Sequence, residues 1–108
     1  MSIVSEKNVS DSLTYLAQGG SADAEAAHLA AERAREKRGA EVYLDAKGSV
    51  EERKMRVIVD NEYQVLLGDE IAAKVELTRA KHRVTGADKI CDIWRTVNAN
   101  ERRADKFR

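Results

Sequence analysis

SVEERKMRVIVDNEYQVLLGDEIAAKVELTRAKHRVTGADKICDIW, residues 49–94, sets the architecture. A 4-3 spacing runs through Met55, Val59, Glu62, Leu66, Asp69, Ala73, Leu77, Ala80, Val84, Ala87, Cys91 and Trp94. Residues three and four apart share one face of an α-helix, so this stripe predicts a long amphipathic helix. Only Glu62 and Asp69 interrupt its apolar character, while Ile58, Tyr63, Val65, Ala72 and Ile90 widen it. Ser49-Val50-Glu51-Glu52 is a capping box. The Ser49 hydroxyl accepts the N–H three residues on, and Glu52 reaches back to the Ser49 N–H. Gly68 and Gly86 are the candidate breaks, but the stripe keeps its phase across both, which predicts one helix over 50–102. Glu52→Arg56 and Glu70→Lys74 add favourable i,i+4 pairs along it.

Upstream, Lys47-Gly48-Ser49 forms a helix–helix turn. Before it, a helix is expected over 22–46, capped by Ser21, with Asp23 and Glu25 suiting the dipole of its first turn. Its apolar positions are Ala26, Leu29, Ala30, Ala40, Tyr43 and Leu44, broken by the charged stretch Glu32–Arg38. Gly39 inside it is less favourable than alanine by about 1 kcal/mol. Gly19-Gly20 ends a short helix over 9–18 that Ser10 would cap, with Val9, Leu13, Leu16 and Ala17 on one side. Residues 1–8 are expected to fray. The fold expected is therefore all-α: a coiled-coil-like hairpin in one domain, with a short N-terminal helix and a long C-terminal one.

The helix over 50–102 would extend about 80 Å and its partner over 22–46 about 37 Å. The half carrying Leu77, Val84, Ile90, Cys91, Ile93 and Trp94 then lacks intrachain cover, since the first helix is too small to hide it all. Contiguous exposed apolar surface marks an interface. Self-association through Leu77, Val84, Cys91 and Trp94 is expected, most simply as an antiparallel dimer.

Composition agrees with long solvated helices. The 108 residues include no Pro, 16 Ala, and 19 Lys+Arg balanced by 19 Asp+Glu. Proline breaks helices and alanine favours them. No uninterrupted apolar run exceeds three residues, as at Val57–Val59, so no membrane span is expected. The N-terminus has no basic region followed by an apolar run, so export by a signal peptide is not expected and a cytoplasmic location is. The balanced charge argues against strong global attraction to nucleic acid or membrane.

Few residues point to chemistry. Cys91 lies on the apolar stripe and reads as a small buried hydrophobe. His28 and His82 fall on different helices, with no carboxylate cluster framing either in sequence. No metal, cofactor or catalytic constellation is expected, and hence no enzyme. Charge is uneven, however. From Arg79 onward nine basic residues face four acidic ones. Arg95, Arg102 and Arg103 are the candidates for contact with phosphates or an acidic partner, a contact that salt would weaken.

Val42-Tyr43-Leu44-Asp45, Glu51-Glu52-Arg53, Tyr63 and Ile93-Trp94-Arg95-Thr96, followed by Ala99, Asn100 and Arg102, carry a resemblance. Over about residues 40–104 the chain resembles small helical proteins of tailed-phage and prophage early regions, often encoded near recombination genes. The chain departs from them at Gly68, Gly86 and the polar 79–89 segment. The resemblance implies an all-helical phage accessory protein in a bacterial host, with no active site to carry over. Together these readings lead to a non-enzymatic binding protein, acting in DNA recombination or replication through a protein partner or weak nucleic-acid contact. The alternative is a small phage inhibitor that occludes a host enzyme or defence complex.

Overall fold

The computed structural model describes residues 5–106, and the side chains of 5–105. Within it the chain is all helical: α1 (Glu6–Ala17), α2 (Ala22–Asp45), α3 (Val50–Val59) and α4 (Asn61–Lys106). The described residues contain no strand. The expected fraying of residues 1–4, and the basic side chains of Lys106 and Arg108, lie outside the described residues. The chain divides into two compact units, one of residues 22–78 and one of residues up to 21 together with 79 onward. Helix α4 contributes its first part to the former and the remainder to the latter.

In the 22–78 unit, α2 packs against α3, with the turn between them at Ala46–Ser49. Gly48 takes φ +118°, a conformation that favours glycine, and the Glu52 carboxylate folds back against it. Ser49 Oγ accepts from Glu52 N at 3.2 Å, which caps α3 as its sequence predicts.

The expected single helix over 50–102 is two helices. The break is at Asp60, which is extended at φ −69°, ψ 123°. Neither glycine produces it: α4 passes through Gly68 and Gly86 unbroken. At Asp60 both helix ends find partners. Asp60 Oδ2 accepts from Tyr63 N at 2.9 Å, capping α4, and Gln64 Nε2 donates to the Ile58 carbonyl at 2.6 Å at the end of α3. The interruption shifts the helical phase. Before it, the half-buried residues are Arg53, Val57 and Asp60; after it, they are Tyr63, Leu66, Leu67, Glu70, Ala73 and Leu77. Met55, Val59, Glu62 and Asp69, read from sequence as stripe positions, are exposed.

In the other unit, α1 starts three residues earlier than expected. Ser5, not Ser10, is its N-cap, accepting from Asn8 N at 3.1 Å. Its end is a Schellman turn, with Gly20 N donating to Tyr15 O and Gly19 N to Leu16 O, each at 3.1 Å. Tyr15 Oη donates to the Ala80 carbonyl at 3.2 Å, and the Arg83 guanidinium sits 3.8 Å from the Tyr15 ring centroid. Val9, Ser12, Ala87 and Cys91 are buried here and Val84 is half-buried. This corrects the expectation that Val84 and Cys91 lack intrachain cover: α1 and its glycine turn supply it. Thr85, beside the suspected hinge, donates from Oγ1 to the Lys81 carbonyl at 3.2 Å, so its hydroxyl is satisfied within the helix.

The glycine turn yields a paired prediction. Gly20 has φ +56°, and a Cβ there would lie 2.9 Å from Val84 Cγ2. Gly20→Ala should destabilise by about 1–2 kcal/mol from backbone conformation alone, with the clash adding to that. Gly86→Ala, where a Cβ meets nothing within 4 Å, should stabilise by about 0.5–1 kcal/mol. Urea unfolding followed by circular dichroism checks both signs.

Candidate functional site

Helix α2 turns a polar face to its partners. Its half-buried residues are Ala24, His28, Ala31, Glu32, Arg35, Arg38, Gly39, Val42 and Tyr43. That spacing is a single helical face. Leu29, Ala30 and Leu44, expected to face inward, are exposed, with Leu44 at 79%. The stretch Glu32–Arg38 is therefore not a gap in the packing face but part of it. The small residue Gly39 explains how a ring fits at the same level. A Cβ there would lie 3.2 Å from Tyr63 Cε2, closer than side chains normally pack.

Charges pair across this seam. Arg38 forks onto Asp60, with Nε donating to Oδ2 and Nη2 to Oδ1, both at 2.9 Å. Its Nη1 also lies 3.3 Å from a Glu62 carboxylate oxygen. Glu62, which looked misplaced on an apolar stripe, is thus an exposed rim partner. Arg35 donates from Nε to Glu70 Oε2, and its Nη1 lies 3.4 Å from Tyr63 Oη. Glu70, expected to pair along its own helix with Lys74, instead reaches across to α2. The Glu70 carboxylate, and then the Tyr63 hydroxyl, push the Arg35 guanidinium above its ordinary value. Arg53 lies over the face of Tyr43, 5.6 Å from the ring centroid.

The seam also contradicts the expectation that no carboxylates frame a histidine. His28 and Glu32, one turn apart on α2, meet Glu70 of α4 with their ligating atoms within 4.8 Å of one another. All three side chains are half-buried. The i,i+4 half of this cluster is visible in sequence. Glu70 is not, because its arrival depends on the hairpin register and on the phase shift at Asp60.

The other sequence-predicted residues are not brought together. Cys91 is buried at 4% exposure, as a free thiol. Val84 and Leu77 are half-buried. Trp94 is 38% exposed and lines a shallow groove with Val9, Ser10 and Leu13 of α1. His82 is exposed. Arg95 is exposed and pairs with Asp92 on its own helix at 3.1 Å; Arg102 and Arg103 are exposed further along α4. No helix among the described residues is long and apolar enough to cross a membrane. Compared with protein-family models, curated proteins and solved structures, the chain matches none of them.

The seam gives a pH prediction. The Arg38 fork first, and the Tyr63 N–H second, hold the Asp60 carboxyl below its ordinary value of 3.8. A depressed folded-state value means stability that is fully present above the ordinary value and lost as pH falls through the lowered one. Thermal melts of the parent should therefore weaken in strong acid. Asp60→Asn should melt lower than the parent at neutral pH and lose less than the parent on acidification.

Proposed function

We propose that this chain is a non-enzymatic helical binding protein that completes its core against a second polypeptide, in the first place another copy of itself. The observation carrying this reading is the imbalance of burial. Among the described residues, three apolar side chains are buried (Val9, Ala87, Cys91), while twelve large ones from Leu13 to Trp94 are exposed. No large side chain is fully buried. Burying one such side chain is worth about 1.5–3 kcal/mol, so a surface that covers several of them would add to the stability of a single copy.

Within the 22–78 unit Leu29, Leu44 and Val50 are exposed, and six further exposed apolar residues lie on α3 and α4. Met55, Ile58 and Val59 lie on α3, and Val65, Ile71 and Val75 lie on α4. On α4 the spacing Val65, Gly68, Ile71/Ala72, Val75 follows one side of the helix, away from the half-buried set. A Cβ at Gly68 meets nothing within 4 Å. A mid-helix glycine loses about 1 kcal/mol relative to alanine, and no packing within the chain accounts for its presence. Close approach by a second helix does. The association surface proposed is accordingly this outer face rather than Cys91, which is buried within the chain, or half-buried Val84, while Trp94 stays exposed.

The context of DNA recombination or replication rests on the phage-type resemblance and the basic last third of the chain. Arg102 and Arg103 are the contacts proposed for phosphate or an acidic partner, with Arg95 a weaker one because Asp92 matches its charge.

Sedimentation velocity tests the association. The parent should sediment as a dimer or larger, and Ile71→Asp or Val75→Asp should shift it toward monomer. A monomeric parent at high concentration contradicts the proposal. Val84→Asp should instead unfold the chain, because that residue packs internally. For nucleic acid, a labelled oligonucleotide should shift at low salt and be released as salt rises, and Arg102→Ala with Arg103→Ala should weaken the shift for all sequences alike. The absence of any shift would leave protein binding as the activity.

A further inference from the structure

We propose that His28, Glu32 and Glu70 form a site for one divalent transition-metal ion, with zinc the best match to its donors. The donor set is one imidazole and two carboxylates, which suits zinc, cobalt or manganese rather than the all-oxygen surroundings of calcium. Two helices supply it: His28 and Glu32 from adjacent turns of α2, Glu70 from α4. The three ligating atoms lie within 4.8 Å of one another, and none of the side chains is fully exposed. Ligand distances of about 2.0–2.2 Å require the three atoms to draw closer together around the ion than they lie here.

Electrostatics favours a cation there. Two carboxylates share a half-buried position in which Arg35 is the cation bonded to Glu70. Arg35 engages Oε2 of Glu70, leaving Oε1 for a metal and fixing the carboxylate's orientation, as outer-shell partners of metal ligands do. A bound ion would tie α2 to α4 at the level where the seam's charges already meet. With three protein ligands, a tetrahedral ion keeps one position open for water or a donor from a partner.

The probe is cobalt(II), whose visible absorption reports ligand geometry, with zinc titrated in competition. The full chain should bind one cobalt ion per copy, displaced by zinc, and its thermal midpoint should rise with metal because the ion binds only the folded hairpin. His28→Ala and Glu32→Gln should each weaken binding at least tenfold, while His82→Ala should not. Glu32→Gln leaves the Arg35–Glu70 and Arg38–Asp60 pairs in place, so its helicity by circular dichroism should match the parent. No saturable binding by the parent, binding unchanged in His28→Ala and Glu32→Gln, or equal loss in His82→Ala overturns the proposal.

Discussion

Two helices in contact cannot enclose a core between them, and that constraint governs each of the two units. α1 lies against the later part of α4, and α2 against α3 and the start of α4. Each helix can bury only the narrow face it turns to its neighbour. Those faces mix apolar with small and polar residues: Val9, Ser12, Val84, Ala87 and Cys91 in one unit, and in the other Leu66, Leu67 and Leu77 of α4 beside His28, Glu32, Arg35 and Arg38 of α2. Twelve other large apolar side chains are exposed. Their hydrophobic driving force is realised only when another surface covers them.

With little apolar interdigitation across the hairpin, register falls to directional interactions. The Arg38 fork on Asp60 is planar and bidentate, so it fixes position and orientation together. Asp60 also closes α3 with its backbone N–H on the Val57 carbonyl, and its carboxylate both caps α4 and anchors α2. Ion pairs removed from water contribute modestly to net stability, but they are well suited to selecting one register among several. Charge thus specifies how α2 meets α3 and α4, and on the proposed reading association would add the stabilisation. A metal at His28, Glu32 and Glu70 would strengthen the same joint.

Local signals in the sequence were legible and long-range ones were not. Ser49 with Gly48, and Gly19 with Gly20, mark turns by side-chain and backbone chemistry that acts within five residues. Helix through Gly68 and Gly86 was legible because the periodic pattern spans them. The stripe failed upstream of Leu66. Glu62 on an apolar face was the sign that the phase was wrong there, and Asp60-Asn61-Glu62 has the composition of a helix start. From Leu66 to Cys91 the stripe does follow the face turned inward, apart from Asp69. On α2 the convention that charges face solvent pointed the wrong way: with complementary charges opposite, Arg35 and Arg38 turn inward and Leu44 outward. Cover for Val84 and Cys91 is not legible in sequence because it depends on where α1 is placed, not on how long it is.

The central claim is the proposal that association adds to the stability of the folded chain. The most direct test is the thermal midpoint of helix loss at chain concentrations spanning about two orders of magnitude, since linked association makes that midpoint depend on concentration. The account predicts a midpoint that rises steadily with concentration. A midpoint constant across the range, with a cooperative transition, would show that a single copy is stable alone and would contradict it.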